Sequence, residues 1–244
     1  MAAVLTIAAS QILPAPGWAQ GGWEFTVSPY GWMSGLEGDV GTLPGYPSQP
    51  VDLSFGDVLN DLDYAFFLTG SARNDPWVLY FDGSLVQTTS SETLGGPVLQ
   101  GYEIKSKTAN FALAFGTTIR RSDRHYVDAY AGFRHWSLNN TYSVTTIGGS
   151  YSQDADASWT DPIVGVAGNY RLGERWVAFG AADIGGFGVG SDFQWSVMVG
   201  VNYLVTDSVS VGVGWRHMDV DYDKDGVVYN ASQSGPVMGV TVRF

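Results

Sequence analysis

Apolar and polar residues alternate along much of this chain. From Phe193 to Val205 every odd-numbered residue is apolar, and the alternation resumes from Val209 to Trp215 after a short polar segment. A period of two places successive side chains on opposite faces of a β-strand, whereas an amphipathic helix repeats about every 3.6 residues. The two segments therefore predict an antiparallel hairpin, with Val205–Ser208 as its tight turn.

The same test finds ten alternating segments between Trp23 and Phe244. Short turns follow every second segment, and longer segments rich in Gly, Ser and Asp follow the others. This pattern is typical of a transmembrane antiparallel up-and-down β-barrel with short periplasmic turns and long extracellular loops. Eight or twelve strands are the alternatives in strand number, and a soluble β-sandwich or soluble barrel is the alternative in architecture. The short turns are Arg73–Pro76, Arg121–Arg124, Leu172–Glu174 and Val205–Ser208.

The seventh strand is the least regular. Residues from Trp176 to Ile184 alternate poorly, and they are assigned to a strand mainly because Asp183 requires a polar side.

Aromatic residues favour the membrane interpretation, because barrels carry aromatic girdles at the two bilayer interfaces. One set of aromatic residues falls at the level of the short turns: Trp23, Trp77, Tyr126, Tyr170, Trp176, Tyr203 and Phe244. The candidates for the second girdle are Trp136, Trp159, Trp195 and Trp215.

Composition excludes several classes of protein. The 244 residues include no cysteine, so disulfide scaffolds, thiolate zinc sites, iron–sulfur clusters and cysteine nucleophiles are excluded. Twelve basic residues stand against 24 acidic ones, and the net charge of -12 would repel a phosphate backbone, so we expect no nucleic-acid partner. No stretch approaches the roughly 18 uninterrupted apolar residues of a spanning helix. Any crossing of a membrane must therefore use strands.

The amino terminus has features of a signal peptide. Ala2–Ala9 is a short apolar run, Pro14 and Pro16 interrupt any helix, and Gly17 and Ala19 supply small residues at the two positions that a signal peptidase reads. We predict residues 1–19 to be a signal peptide and residues 20–244 to be a single barrel domain. The basic segment that normally precedes such a run is missing, so a start further upstream and the absence of an export signal are the alternatives.

The carboxy-terminal segment resembles the terminal signature of Gram-negative outer-membrane proteins. It ends in Phe244 and carries Met238, Val240 and Val242 at alternate positions before it. Three further segments strengthen the resemblance, and with them the chain resembles a proteobacterial family of small outer-membrane β-barrels that has no assigned activity. These segments are Trp23–Trp32, Asp183–Asp192 and Gly214–Tyr222.

This resemblance implies location and partners but no reaction. It implies the outer membrane as the location, its lipid and lipopolysaccharide as surroundings, and recognition of the terminal signature by the barrel assembly machinery during insertion. We expect no cofactor.

Charged residues of both signs fall on the inward face of the predicted strands. Ten strands leave a narrow interior, in which opposite charges would face one another and pair. A lumen plugged by these pairs is the first hypothesis, and a narrow porin-like channel for small solutes is the second. The predicted charge network is Glu24, Asp63, Asp82, Asp128, Arg134, Asp161, Asp183 and Arg216, with Arg73, Arg171 and Arg243 on the same face.

Two loop motifs have possible binding chemistry. Asp221, Asp223 and Asp225, followed by Gly226, match the first half of a calcium loop, but position 12 is Ser232 instead of the bidentate Glu. A weak calcium site is therefore one hypothesis, and a solvated acidic hairpin tip is the alternative. The glycine-rich segment 185–190 contains a GxG pattern but opens no helix, so we interpret it as a tight turn whose glycines take positive φ.

Two histidines lie near the long-loop rim. His135 and His217, with Asp219 and Asp221, fall where ten-stranded outer-membrane proteases of the omptin class activate water, but no omptin motif is present. We therefore predict no enzyme, with an omptin-like rim hydrolase as the third hypothesis after a structural or surface-interaction role and a narrow channel. In the first long connection, Gly35–Asp61, the spacing permits a short helix capped by Ser54, which would act as a lid over or inside the barrel mouth.

Overall fold

The computed structural model describes residues 22–43 and 45–244. The predicted signal peptide, residues 1–19, lies outside the described residues. No helix within the described ranges is long and apolar enough to cross a membrane. The elements are β1 (Glu24–Trp32), β2 (Leu36–Gly41), β3 (Gln49–Leu53), α1 (Phe55–Asp61), β4 (Leu62–Asn74), β5 (Trp77–Thr93), β6 (Leu99–Arg121), β7 (His125–Thr146), β8 (Gly149–Arg171), β9 (Trp176–Gly186), β10 (Phe193–Leu204), β11 (Val209–Lys224) and β12 (Val227–Arg243).

Ten of these strands form a closed antiparallel barrel, which confirms the predicted fold class and strand number. Each strand from β4 to β12 pairs with its neighbour in sequence, β1 pairs with β4, and β12 pairs with β1 to close the ring. The connections 75–76, 122–124, 172–175 and 205–208 lie at one end, together with both ends of the described chain. We call this the short-turn end and the opposite one the long-strand end.

The outward face of the ring is apolar and the inward face is polar. In β11, Val211 and Val213 are 44% and 57% exposed, whereas Ser210 and Arg216 are buried. A water-soluble protein would bury the valines instead. Met238, Val240, Val242 and Phe244 of the terminal signature share the outward face and are all exposed.

The connections at the long-strand end are mostly strand, where we had expected long loops. β6, β7 and β8 contain 23, 22 and 23 residues, whereas about 9–11 residues suffice to cross a bilayer. Roughly half of each strand therefore projects beyond a membrane-spanning belt. The sequence test missed these outer halves because a strand surrounded by water needs no continuous apolar face.

The first long connection contains more structure than expected. It holds the predicted helix α1, with Ser54 as N-cap, and also the hairpin β2–β3, which had no apolar alternation to reveal it. The Ser54 hydroxyl donates to Asp57 at 2.6 Å and the Ser54 backbone N–H at 2.9 Å, and these bonds hold the pKa of Asp57 below its usual range. No residue of α1 is buried, so the helix is not inside the barrel mouth.

The hairpin β2–β3 extends the wall of the barrel. β2 pairs with the outer part of β12, from Val228 to Ser232, beyond the part of β12 that pairs with β1. Thr42, just after β2, is buried and contacts the opposite wall, where it is within hydrogen-bond distance of Tyr142 and Asn140 of β7. The two walls therefore meet across the long-strand end.

An apolar core fills the space between these walls. Trp136 and Trp159, which we expected in an outer girdle, instead belong to this core and are 1% and 6% exposed. They follow the same inward face as Arg134 and Asp161, since side chains two residues apart share a face. Tyr126 likewise points inward with Asp128 and is not part of the short-turn girdle. The core consists of Trp32, Trp136, Leu138, Trp159, Met218, Val220, Tyr222, Val227, Tyr229, Ala231 and Val237.

Candidate functional site in the barrel lumen

Three arginine–aspartate pairs join non-adjacent strands inside the lumen. Arg134 on β7 contacts Asp183 on β9 through two parallel hydrogen bonds, of 2.8 Å from Nη1 to Oδ1 and 3.0 Å from Nη2 to Oδ2. Arg134 is 2% exposed, and its Nη1 also donates to Gln194 at 3.2 Å. The planar guanidinium fits a carboxylate in this two-pronged geometry, which fixes both side chains.

The second pair joins strands that lie far apart in sequence. Arg216 on β11 donates to Asp82 on β5 at 2.5 Å from Nη2 and 3.0 Å from Nη1. The hydroxyl of Tyr30 contacts both residues. Because β5 and β11 are not neighbours in the sheet, this pair bridges the interior from wall to wall.

The third pair lies nearer the short-turn end. Arg73 on β4 contacts Asp128 on β7, which also accepts hydrogen bonds from Tyr80 and from Thr118, the latter at 2.7 Å. The Arg73 guanidinium lies 4.1 Å from the ring centre of Tyr126. Asp128 is fully buried, and the guanidinium and two hydroxyl groups that donate to it compensate its charge.

Among the described residues, the hydrogen-bond partners of Asp161 are all neutral, although Arg134 lies opposite it in the pairing of β7 with β8. Its carboxylate accepts hydrogen bonds from the Trp159 indole at 3.0 Å, the Ser191 backbone N–H at 2.7 Å, the Ser191 hydroxyl at 2.6 Å and the Gln194 amide at 2.9 Å. Ser191 and Gln194 are fully buried and were not among the predicted site residues. Gln194 is an even-numbered residue on the polar face of β10, so the alternation along this strand could have identified it. Ser191 lies in a loop, where no alternation of apolar and polar residues predicts its direction.

The glycine-rich segment delivers Ser191 to this position. Gly186, Phe187 and Gly188 have φ angles of 86°, 51° and 78° and turn the chain inward after β9, in agreement with the predicted turn. Gly190 packs so closely that a Cβ there would lie 2.5 Å from Asp161 Oδ1 and 2.9 Å from the Thr160 carbonyl. The loop therefore depends on a residue without a side chain at position 190.

We expect Gly190→Ala to destabilise the barrel by about 1–3 kcal/mol, because the added methyl must displace backbone as well as the Asp161 carboxylate. Gly31→Ala is the matched control, since nothing lies within 4 Å of a Cβ at that position. Urea unfolding in lipid vesicles measures both changes. Equal stability of the two variants would show that the loop adapts without cost.

Two predicted members of the charge network do not lie inside the lumen. Glu24 is at the short-turn rim, half exposed, and contacts the equally exposed Arg243 at 3.3 Å. Asp63 lies where the pairing of β4 and β5 shifts register, and it accepts hydrogen bonds from Gln87 and Thr89. These two residues share the outward face of β5 with the exposed Leu79, so the irregularity turns Asp63 outward.

The apolar core lies directly beyond the ion pairs on the long-strand side. The Trp159 ring stacks on Tyr222 at 4.0 Å and on Trp136 at 5.8 Å between ring centres. Trp136 also donates to Gln194 at 3.2 Å, so the core and the polar layer are directly connected. Aromatic rings from β7, β8, β11 and β12 thus meet across the interior.

The lumen contains a chamber of about 300 Å³, whose lining includes the Arg134–Asp183 and Arg216–Asp82 pairs. One side is apolar and includes Ala112, Ile163 and Met198, whereas the other carries hydroxyl groups. The chamber reaches Arg243 at the short-turn end, which is half exposed. It is therefore accessible from that end.

The remaining candidate residues are not brought together. Asp221 and Asp223 point outward from β11 and Asp225 occupies the hairpin turn at φ 56°; residues 22–43 and 45–244 contain no group of three potential metal ligands. The calcium hypothesis therefore gains no support. His135 and His217 also lie on the outward face, His135 beside Thr160 at 2.9 Å and His217 against the ring of Trp195. Neither histidine reaches the lumen.

Comparison with known proteins supports the fold and no finer identity. No protein-family model and no curated protein matches the chain. The outer membrane protease OmpT from Escherichia coli has 14% sequence identity and a TM-score of 0.54, with 91% of this chain and 97% of OmpT covered. The translocator domain of the autotransporter NalP from Neisseria meningitidis has 9% identity and a TM-score of 0.46, over 91% of this chain and 89% of that domain. The likeness to OmpT and the closed ring of ten strands show that the chain has the fold of Gram-negative outer-membrane β-barrel proteins.

Proposed function

We propose that this chain is a sealed outer-membrane β-barrel that presents its projecting strands for interaction at the cell surface, without catalytic activity. The observation that carries the proposal is the apolar core across the long-strand end, in which Trp136 and Trp159 are buried against residues of the opposite wall. A conducting pore instead needs a continuous polar passage. The three ion pairs beneath the core reinforce the closure.

The projecting strands supply the interaction surface. β6, β7 and β8 extend well beyond the length needed to cross a bilayer, and their walls are held together by core packing and by the contact of Thr42 with β7. A rigid projection of this kind suits recognition, because little conformational entropy is lost on binding. In this proposal the short-turn end faces the periplasm, the belt contacts outer-membrane lipid and lipopolysaccharide, and Met238, Val240, Val242 and Phe244 direct assembly.

Electrical recording tests the closure. Refolded protein in a planar lipid bilayer is expected to show no conductance steps, because Trp136, Trp159 and Tyr229 close the lumen. A variant with all three replaced by alanine is expected to conduct, which controls for insertion into the bilayer. Steady conductance by the unaltered protein would overturn the sealed-barrel proposal and favour a narrow channel for small solutes. The chamber of about 300 Å³, open at the short-turn end, is the observation on which that second candidate rests.

Enzymatic activity is the third candidate, and the geometry argues against it. OmpT is a protease, but in this chain His135 and His217 point outward, and the buried aspartates are all engaged by hydrogen-bond donors. A general base must be free to accept a proton from its substrate. Hydrolysis of peptide or lipid-ester substrates that is lost in His217→Ala would contradict this part of the proposal.

A further inference from the structure

One long strand edge has no neighbour among the described residues. β9 pairs with β8 only from Ile163 to Arg171, although β8 begins at Gly149. On its other side β8 pairs with β7 along its whole length. The loop after β9 covers Thr160 and Asp161, so residues 150–159 of β8 form an open edge of the projecting sheet, which we call the β8 edge.

The edge is open because β9 ends early. At Gly186 the chain turns inward, and the loop uses Ser191 to bind Asp161 and does not continue along β8. The same loop leaves Phe187 and Val189 exposed, at 51% and 68%, beside the base of the β8 edge. Lys224 Nζ holds the loop by donating to the Gly188 carbonyl at 2.8 Å.

The backbone direction at the edge follows from its hydrogen bonds. The N–H of Arg171 donates to Arg124 on the β7 side, whereas the N–H of Leu172 donates to Trp176 on the β9 side. Successive residues of a strand alternate in this direction, and the pairing of β8 with β7 has no register shift. Even-numbered residues therefore direct N–H and C=O groups to the open edge. Pro162 is also even-numbered, so the N–H that it lacks would have pointed to the edge and not to β7. It lies where the pairing with β9 ends.

The edge lacks most devices that natural proteins use to block pairing. Residues 150–159 include no proline and no lysine, and the strand has no bulge against β7. Its outward face instead carries Asp154 and Asp156, both exposed. Asp154 accepts a hydrogen bond from Thr141 at 2.7 Å and Asp156 one from Asn139 at 2.9 Å. Among the described residues neither carboxylate forms a salt bridge, and the basic residues in the same rows, Lys105 and Lys107, lie two strands away on β6.

These carboxylates select the partner. A second copy of the β8 edge would bring like charges together across the new strand pair, which is unfavourable. A strand with basic residues at alternate positions would place them beside Asp154 and Asp156. We propose that the β8 edge binds, by β-strand addition, an extended segment of another protein that carries Lys or Arg at alternate positions. This proposal rests on the surface-interaction role and specifies its partner; Phe187 and Val189 provide an apolar contact at the base.

A simple peptide tests this proposal. The probe is a fluorescent peptide of about ten residues that alternates lysine and threonine, added to the barrel in discs of zwitterionic lipid. We expect saturable binding of one peptide per barrel. Amide-resolved hydrogen exchange should slow at Ser152, Asp154 and Asp156 and stay unchanged at odd-numbered residues, whose amides already pair with β7. A peptide that alternates glutamate and threonine is expected not to bind.

Matched variants separate the contribution of backbone N–H groups to peptide binding from that of the side chains. Ser152→Pro combined with Ser158→Pro removes two edge N–H groups without disturbing the β7 ladder, and Ser152→Ala with Ser158→Ala removes the same hydroxyls but keeps the N–H groups. We expect the proline variant to bind the peptide with an affinity at least about tenfold lower than that of the alanine variant. Asp154→Asn with Asp156→Asn should also weaken binding and reduce its dependence on salt.

The outcomes also separate this proposal from the one on which it rests. Heat-modifiability on gels confirms that each variant is folded. No saturable binding to a sealed, folded barrel, or equal binding by the proline and alanine variants, would overturn the assignment of the β8 edge. Conductance of the unaltered protein would instead overturn the sealed-barrel role. Peptide binding would still decide whether the β8 edge accepts a strand.

Discussion

Arg216→Ala is expected to lower the free energy of unfolding by about 3–5 kcal/mol. Arg216 is 2% exposed and bridges the lumen to Asp82, with Tyr30 in contact with both. Removal of the guanidinium leaves the Asp82 carboxylate, whose side chain is 19% exposed to the chamber, without its cation, and water replaces the lost contact only in part. The loss should therefore resemble that of a broken buried pair, not of a surface one.

Urea unfolding in lipid vesicles, with heat-modifiability on gels, measures this effect. Arg243→Ala is the matched control, because its pair with Glu24 is half exposed and should contribute less than about 1 kcal/mol. Arg216→Met combined with Asp82→Leu removes both charges and should restore most of the stability. If Arg216→Ala proved as stable as Arg243→Ala, Asp82 would not depend on this partner and the lumen would be open enough to hydrate it.

The arrangement of charges follows from the surroundings of the belt. Lipid requires apolar side chains on the outward face, so the polar residues of each strand must point inward. In a ten-stranded ring the interior is too narrow for charges to remain separately hydrated, and pairing is the stable solution. Arg134 with Asp183 and Arg216 with Asp82 both show this result, since each arginine reaches a carboxylate on a strand that is not its neighbour.

The part of the fold within the belt could be predicted from sequence. In β11, Val211 and Val213 alternate with Ser210 and Gly212, and only a strand with two different surroundings requires such a pattern. The parity of Asp183 was likewise sufficient to place the irregular β9. These predictions succeeded because lipid imposes the same demand on every strand that crosses it.

Beyond the membrane-spanning belt, the alternation of apolar and polar residues no longer predicts the strands. The outer part of β8, from Gly149 to Ser158, has polar residues on both faces because water surrounds most of it. Trp136 and Trp159 have the inward parity of Arg134 and Asp161, yet their size suggested a membrane interface. Only the contact between opposite walls reveals that they form a core, and that contact depends on residues distant in sequence, such as Tyr222 and Tyr229.

The sequence predicted which charged residues face the lumen, but not which of them contact one another. Parity placed Arg134 and Asp183 on the inward face, whereas their mutual contact depends on barrel closure and strand register, which a list of alternating segments does not contain. Asp63 was misplaced because an irregular pairing reverses parity locally. Ser191 was missed because a loop, with no periodicity at all, delivers it to Asp161.

Trp159→Ala is expected to destabilise the barrel by about 3–5 kcal/mol, the range for loss of a large buried aromatic side chain. The ring stacks on Tyr222 at 4.0 Å, and its Nε1 donates to Asp161 at 3.0 Å, so truncation both opens a cavity and removes one donor from a buried carboxylate. The wall contact should loosen as a result. Protease cleavage near the tips of the projecting strands should then become faster.

Two further variants divide this loss into its parts. Trp159→Phe retains an aromatic ring for stacking but removes the N–H, and we expect it to cost about 1–3 kcal/mol, as for a buried acceptor that loses a partner. Trp215→Ala truncates an outward-facing tryptophan that is half exposed, and it should cost less than Trp159→Ala because no cavity forms. If Trp159→Ala and Trp215→Ala had equal effects, Trp159 would behave as a residue of the membrane interface, and the proposed closure of the lumen would lose its main support.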